Sequence, residues 1–189
     1  MGPELHVSYM RDQGKEILLP AEPAQVSSLR VWFCKFKTLS QIQELKGLKT
    51  LVVAGFPDET LEIVSVLQNL KYLSVVHLPR ITDLSPLAKL TQLESLSLAT
   101  LPSWDASGKL TQVTSLEPIA SIATLKHLEL FGVVPRNRSL SALHRCTQLT
   151  TARFSKYSES ETRQFYAATE VANAHIPTVS FDSLHVHQE

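Results

Sequence analysis

The apolar positions of residues 70–90, LKYLSVVHLPRITDLSPLAKL, are Leu70, Leu73, Val75, Leu78, Ile81, Leu84, Leu87 and Leu90. They stand three apart except for one step of two between Leu73 and Val75. An α-helix turns about 100° per residue, so steps of three drift by roughly 60° and circle the helix instead of marking one face. A strand needs alternation by two, which occurs here once. The pattern predicts a short strand at the step of two, followed by corners that each send one apolar residue into a shared interior.

The same spacing recurs along the chain. Upstream it reads Val26-x-x-Leu29-x-Val31-x-x-Cys34 and Leu48-x-x-Leu51-x-Val53-x-x-Phe56. Downstream come Leu93-x-x-Leu96-x-Leu98-x-x-Leu101 and Leu125-x-x-Leu128-x-Leu130-x-x-Val133. Two weaker copies follow, Leu149-x-x-Ala152-x-Phe154-x-x-Tyr157 and Ile176-x-x-Val179-x-Phe181-x-x-Leu184. Starts at 26, 48, 70, 93, 125, 149 and 176 give steps of 22, 22, 23, 32, 24 and 27 residues. Such a period predicts strands stacked in parallel about 4.8 Å apart. No single coil can bury its own leucines, so stability must come from stacking.

The first copy, VSSLRVWFCKF, follows the order L-x-x-L-x-L-x-x-N/C-x-L, with Cys34 at the N/C position and Phe36 closing it. In this the chain resembles the leucine-rich repeat family, and ITDLSPLAKL resembles the short bacterial repeats of internalins. The resemblance runs from residue 26 to about 184. It implies an α/β solenoid, curved, with a parallel β-sheet on the concave face and short helices and turns on the convex face. It also implies a role in binding other proteins. No copy carries the family's asparagine; Phe56, Leu78, Leu101, Val133, Tyr157 and Leu184 stand in its place, and an apolar column is expected there. Pro57, Pro79 and Pro102 follow three consecutive copies and are expected to end each strand by removing a ladder donor.

Residues 1–25 do not fit the repeat. Leu5, Val7 and Tyr9 alternate, DQG offers a turn, and Ile17 and Leu19 alternate again, which predicts a β-hairpin capping the first coil. The expected organisation is one domain, a hairpin cap over 1–25 and a solenoid of about seven coils over 26–189. Among the convex segments, Ser158 and Glu161 have capping-box spacing and predict a helix over about 159–174. Ser85 before Pro86 predicts an N-cap and first helical turn in the third coil. The fourth coil is longer than its neighbours, and the excess lies in PSWDASGKLTQVTS, residues 102–115. That segment is either neutral loop growth or a binding loop with Trp104 as its anchor. At the other end, either the long helix shields the solenoid or the last strand is an open edge through which the chain self-associates.

Charge and composition narrow the function. The chain has 189 residues, with 18 basic and 18 acidic side chains and zero formal net charge. That disfavours broad electrostatic binding to nucleic acid or to anionic membrane. The first twenty residues lack a basic region followed by an apolar one, and Gly2 is the sole likeness to a myristoylation site, with His6 where Ser or Thr is wanted. No apolar run approaches the roughly 18 residues of a membrane-spanning helix. Two cysteines are too few for a disulfide framework, so a soluble, cytoplasmic protein is expected.

Candidate chemistry is sparse. The six glycines are scattered singly, without a phosphate-binding loop. His185 and His187 would share a strand face but lack further ligands, so neither metal nor cofactor is expected. Cys34 and Cys146 read as packed thiols, and PRNR at 135–138 as a solvated loop or a contact for an acidic partner.

The outward strand positions form three columns. Between the inward pair stand Arg30, Val52, Ser74, Ser97, Glu129, Arg153 and Ser180. After it stand Trp32, Ala54, Val76, Ala99, Phe131, Ser155 and Asp182, and before it Ser28, Thr50, Tyr72, Ser95, His127, Thr151 and Thr178. Aromatics on a rigid sheet are typical anchors for a protein partner. The candidate partner-binding set is therefore Arg30, Trp32, Tyr72, Val76, His77, His127, Glu129, Phe131 and Arg153, with Trp104 as loop anchor. The expected function is a non-enzymatic module holding a protein partner on the concave face, as an inhibitor such as a toxin's immunity protein, or as an adaptor or scaffold. The competing reading is an enzyme with a pocket formed where the 102–115 insertion folds over His127 and Glu129.

Overall fold

Each step of two in the leucine pattern is a strand. The computed structural model describes residues 4–179, and its strands are β1 (Leu5–Met10), β2 (Val26–Trp32), β3 (Thr50–Ala54), β4 (Tyr72–Val76), β5 (Ser95–Ala99), β6 (Thr111–Val113), β7 (His127–Phe131), β8 (Val133–Pro135) and β9 (Thr151–Phe154). Seven of them make one sheet in the order β1-β2-β3-β4-β5-β7-β9, and every neighbouring pair is parallel. β6 and β8 make a separate two-stranded parallel sheet. The convex side carries α1 (Glu62–Ser65), α2 (Pro102–Ala106), α3 (Glu117–Ala120), α4 (Glu159–Thr169) and 3₁₀ turns such as Ser40–Glu44, Ser85–Lys89 and Ser141–Arg145. This is an α/β leucine-rich repeat solenoid.

The ladder aligns equivalent repeat positions. Leu29, Leu51, Leu73, Leu96 and Leu128 pair in one row, and Val31, Val53, Val75, Leu98 and Leu130 in the next. All ten point inward and all but Val31 are fully buried, with the corner leucines Leu48, Leu70, Leu84, Leu87 and Leu125 beside them. Burying one such side chain contributes roughly 2 kcal/mol, so each coil holds its neighbours through several of these contacts. The expected apolar column holds at Phe56, Leu78 and Val133, which are buried, while Leu101 is half-buried and Leu184 lies outside the described residues. Tyr157 takes part differently, its hydroxyl donating to the Val133 carbonyl at 2.9 Å, and burial pushes its phenol far above the usual value.

What ends the strands is not proline. The residue after the strand's last outward position adopts left-handed backbone in six coils: Arg11 (φ 54°), Phe33 (50°), Gly55 (79°), His77 (64°), Gly132 (66°), and, one residue further from its strand end, Lys156 (68°). The N–H groups of Arg11, Phe33, Gly55 and His77 each still reach the next strand's carbonyl at 2.7–2.8 Å, so the ladder is complete before Pro57 or Pro79 is met. The left-handed residue turns the chain out of the sheet plane, and the prolines follow that turn. Pro102 instead opens α2.

A second repeated device starts the convex turns. A side-chain oxygen accepts from the N–H two residues on at Thr38–Ser40, Thr60–Glu62, Asp83–Ser85, Ser115–Glu117 and Ser139–Ser141, with Leu39, Leu61, Leu84, Leu116 and Leu140 between them. The oxygen satisfies a donor the short turn leaves free, while the intervening leucine enters the core. Ser85 is thus the first residue of its turn and not its cap, a place taken by Leu84; Asp83 accepts from the Ser85 N–H, and its carboxyl is held below the usual range by the Ser85 hydroxyl and N–H.

Three expectations fail at the ends. Among the described residues, 4–25 form no hairpin: β1 is their one strand, and it joins the sheet parallel to β2 because Val7 and Tyr9 align with Leu29 and Val31 as one more repeat. Counting back 22 residues from 26 gives a start at residue 4, so the first coil keeps the period although its leucines are replaced. The long helix ends at Thr169, not 174, because Glu170 adopts a left-handed cap (φ 55°). Finally, the copy expected at 176 would set Thr178 opposite Thr151, but Ala172 bridges Thr151 instead. Residues 173–179 form no strand, and the rest of that copy, Ser180–Leu184, lies outside the described residues with His185 and His187.

Candidate functional site: the open face of the sheet

The three outward columns exist as ladder rows from β1 through β7, and two of them reach β9 at Thr151 and Arg153; Ser155 lies past β9, Thr178 joins no strand, and Ser180 and Asp182 lie outside the described residues. Met10, Trp32, Ala54, Val76, Ala99 and Phe131 are consecutive partners across six strands. At about 4.8 Å per strand this row runs roughly 24 Å along the strands' C-terminal edge, with Trp32, Val76, Ala99 and Phe131 half-buried and Ala54 fully buried within it. Met10 is 43% exposed and Phe33, next to Trp32, 39% exposed. The Trp32 and Phe33 rings meet edge to face, with centroids 5.6 Å apart and planes at 79°. Phe33 also leans over Gly55, where a side chain would touch its ring. β1 lies beside Trp32 rather than over it, so no N-terminal hairpin covers this end.

At the other end the row becomes polar. The Arg153 guanidinium lies 5.5 Å from the centre of the Phe131 ring. Glu129, expected to project toward solvent, is only 7% exposed. Its Oε2 accepts from Ser97 Oγ at 3.1 Å, and its Oε1 accepts from Ile176 N–H at 3.3 Å and lies 3.1 Å from His175 Nδ1. Arg153 Nη1 lies 2.7 Å from the same imidazole nitrogen. Glu129 and Arg153 are therefore joined by the chain's own residues past Ala172, which cross the open face here.

Other members of the candidate set are held within the sheet surface. Arg30 Nε donates to Ser8 Oγ at 2.8 Å. His127 Nδ1 lies 2.8 Å from Thr151 Oγ1, and burial, then the Lys126 charge, lowers its pKa against an opposing effect of Glu94. Tyr72 is half-buried, and burial followed by the negative charge of Glu129 raises its pKa. Val76 is half-buried in the apolar row.

His77 is a corner residue, and its partner is the insertion. Its ring meets Trp104 edge to face, centroids 4.9 Å apart and planes at 83°. Its Nδ1 is buried and, among the described residues, without a hydrogen-bond partner, and burial lowers its pKa. Lys109 Nζ lies 5.6 Å from the centre of the Trp104 ring, and Lys156 Nζ donates to the Asp105 carbonyl at 2.9 Å. The 102–115 segment is thus an ordered helix and strand fastened to neighbouring coils, with Trp104 turned inward onto His77. It meets His77 and Lys156, whereas Glu129 meets Ser97, His175 and Ile176, so the insertion forms no roof over Glu129.

A hollow of about 500 Å³ lies elsewhere, lined by Glu94, Thr124, Lys126, Thr147 and Gln148, and includes none of the candidate residues. Among the described residues no three His, Cys, Asp or Glu side chains are grouped to hold a metal ion, and no helix is long and apolar enough to cross a membrane. Burial raises the thiol pKa of both free cysteines, to about 11 for Cys146.

Sequence reasoning missed Met10, Phe33, His175 and Ile176. Extending the 22-residue step back to residue 4 would have placed Met10 beside Trp32. Phe33 is exposed by its left-handed backbone, and nothing in the local pattern brings His175 to Glu129.

No protein-family model matches this chain, and no curated protein sequence matches it. Solved structures do. Internalin C2 of Listeria monocytogenes is 16% identical with a TM-score of 0.49, over 80% of this chain and 71% of that one. Internalin F of the same organism is 16% identical with a TM-score of 0.46, over 88% and 62%. A Leptospira interrogans leucine-rich repeat protein is 18% identical with a TM-score of 0.48, over 88% and 53%. The chain spans less than two thirds of the last two proteins. The fold assignment itself rests on the strand registers and repeated corners described above.

Proposed function

We propose that this internalin-like leucine-rich repeat chain is a protein-binding module whose partner docks on the open face of the sheet. The observation that carries the reading is the apolar row from Met10 to Phe131, with Phe33 exposed beside it. Backbone ladders on both sides hold the row rigid, so little ordering entropy is lost on binding, and aromatics at each end suit it to a hot-spot interface. Between inhibitor and adaptor we favour the inhibitor, an immunity protein of a toxin being one form of it. A rigid surface of this kind covers one partner site without needing a second binding element. Two free, half-buried thiols fit a cytoplasmic setting.

The test compares capture from native lysate by the full chain, by the Trp32→Asp/Phe131→Asp variant and by Leu18→Asp. Leu18 is 79% exposed and lies outside the row, so it controls for added charge. Wild type and Leu18→Asp should retain the same partner, and the double variant should lose it while melting as cooperatively as wild type. Retention by the double variant would refute docking on this row.

A further inference from the structure

The open face has an occupant in the free protein. After Ala172 bridges Thr151, the chain crosses the sheet, and Ile176 is 7% exposed where it meets Glu129. Among the described residues, the Glu129 carboxylate accepts from Ile176 N–H and Ser97 Oγ and has His175 Nδ1 within 3.1 Å, so two of these three neighbours belong to this segment. Among the described residues, the segment's other backbone hydrogen bond beyond Ala172 is internal, from Ala174 N–H to the Ala172 carbonyl. Among them too, Glu129 and Arg153 are the side chains that meet its polar groups, while Asn173, His175, Pro177 and Thr178 stay exposed. Segments with so few backbone bonds to the core open at low free-energy cost.

In its ladder row Glu129 stands between uncharged Ser97 on β5 and Arg153 on β9, and the positions on β3 and β4 are Val52 and Ser74. A buried carboxylate is tolerated when donors surround it, and here the crossing segment brings one of them, the Ile176 N–H. The carboxylate reads a main-chain N–H, Arg153 and Glu129 flank an imidazole, and the adjoining surface buries one β-branched side chain.

We propose that Ser97, Glu129 and Arg153 form a recognition site for a peptide segment without regular secondary structure, held in the free protein by residues 174–179. The kind of partner it fits is a protein presenting such a segment with an imidazole followed by a β-branched apolar residue. Binding exchanges the partner's segment for the chain's own. This deepens the protein-binding reading above and rests on it, because it adds a peptide subsite at the polar end of the same face.

The test uses the full chain and a labelled synthetic peptide of residues 170–179, EVANAHIPTV. In wild type the tethered copy competes at an effective concentration near the millimolar range, so the peptide should bind about tenfold or more weakly than to Ile176→Asp, which frees the site. Adding Glu129→Gln to Ile176→Asp should abolish binding, and a peptide with His replaced by Ala should bind less well. In a second, independent measurement, Glu129→Gln in the full chain should speed amide exchange at Ile176 while leaving Leu130 and Ala152 unchanged. Equal peptide binding by wild type and Ile176→Asp, survival of binding with Glu129→Gln, or unchanged exchange at Ile176 would each overturn the proposal. If the peptide binds as stated while Trp32→Asp/Phe131→Asp still captures its partner, the apolar row fails as a docking surface and the peptide site stands.

Discussion

The His77 imidazole and the Trp104 indole meet edge to face across the joint between the sheet and the 102–115 insertion, their centroids 4.9 Å apart. His77 reaches this place because its left-handed backbone turns its side chain out of the strand row. The contact is the insertion's aromatic tie to the coil of β4. Such pairs contribute roughly 0.5–1.5 kcal/mol beyond burial. Trp104→Ala should therefore lower stability by about 1–2 kcal/mol and raise amide exchange across α2 and β6, with β2 and β3 unaffected. Unchanged protection at β6 would show that Lys156 and the β6–β8 ladder hold the insertion without the ring.

Burial holds both His77 and His127 below the usual imidazole value, so the folded protein resists protonating them. The unfolded chain titrates near pH 6.5 and takes up protons the folded chain refuses. Stability from these residues is thus complete above about pH 6.5 and is lost as pH falls below it toward the lowered folded values. Denaturant midpoints at pH 7.5 and 5.5 should differ in wild type. The difference should shrink in His77→Asn/His127→Gln, Asn being chosen because it tolerates left-handed backbone. An undiminished difference would place the proton uptake elsewhere.

Gly132 is left-handed (φ 66°), and a β-carbon there would overlap the Thr100 hydroxyl and stand 3.0 Å from Thr100 Cγ2. Gly132→Ala should cost about 2–4 kcal/mol, the sum of the backbone penalty and the overlap. Thr100→Ala in the same chain should recover the overlap but not the backbone penalty, so the two changes should be non-additive. Additive melting shifts would mean that Thr100 moves aside freely.

Asp58 and Glu161 do the same work in distant coils. Asp58 Oδ1 accepts from the Thr38 hydroxyl at 2.5 Å and Oδ2 from Leu39 N–H at 3.0 Å. Glu161 Oε1 accepts from the Ser139 hydroxyl at 2.9 Å and from Leu140 N–H at 2.5 Å. Each carboxylate bolts its own coil to the convex turn of the preceding one. Asp58→Ala and Glu161→Ala should each cost about 1–3 kcal/mol, and their effects should add because the sites share no partner. Glu161 also completes only half of the expected capping box: its N–H takes the Ser158 hydroxyl at 3.1 Å, but its carboxylate is committed to Ser139 and Leu140.

Leu73 and Val75 show what the sequence determines by itself. One step of two and a run of threes admit one regular arrangement that buries every leucine, a stack of coils with strands in parallel register. That is why the strand rows, the apolar column and the outward aromatics were legible before any coordinates. The constraint is local, since each leucine need only find its equivalent about 22 residues away. The first coil is not legible as a repeat because Val7 and Tyr9 replace leucines, leaving an alternation that also suits a hairpin. The corners point to proline in the sequence because left-handed backbone at His77 or Phe33 has no residue signature of its own.

Tertiary structure decided the rest. Whether Trp104 faces solvent or His77 depends on the path of a loop outside the repeat. The burial of Glu129 depends on Ile176, 47 residues away, and on a chain that leaves the period at Ala172. Periodicity governs contacts between equivalent positions and is silent about contacts made by segments that break it. In this protein those departures are the insertion, held at His77 and Lys156, and the segment that crosses to Glu129, so the repeat determines the platform and the non-repeating chain determines what is laid against it.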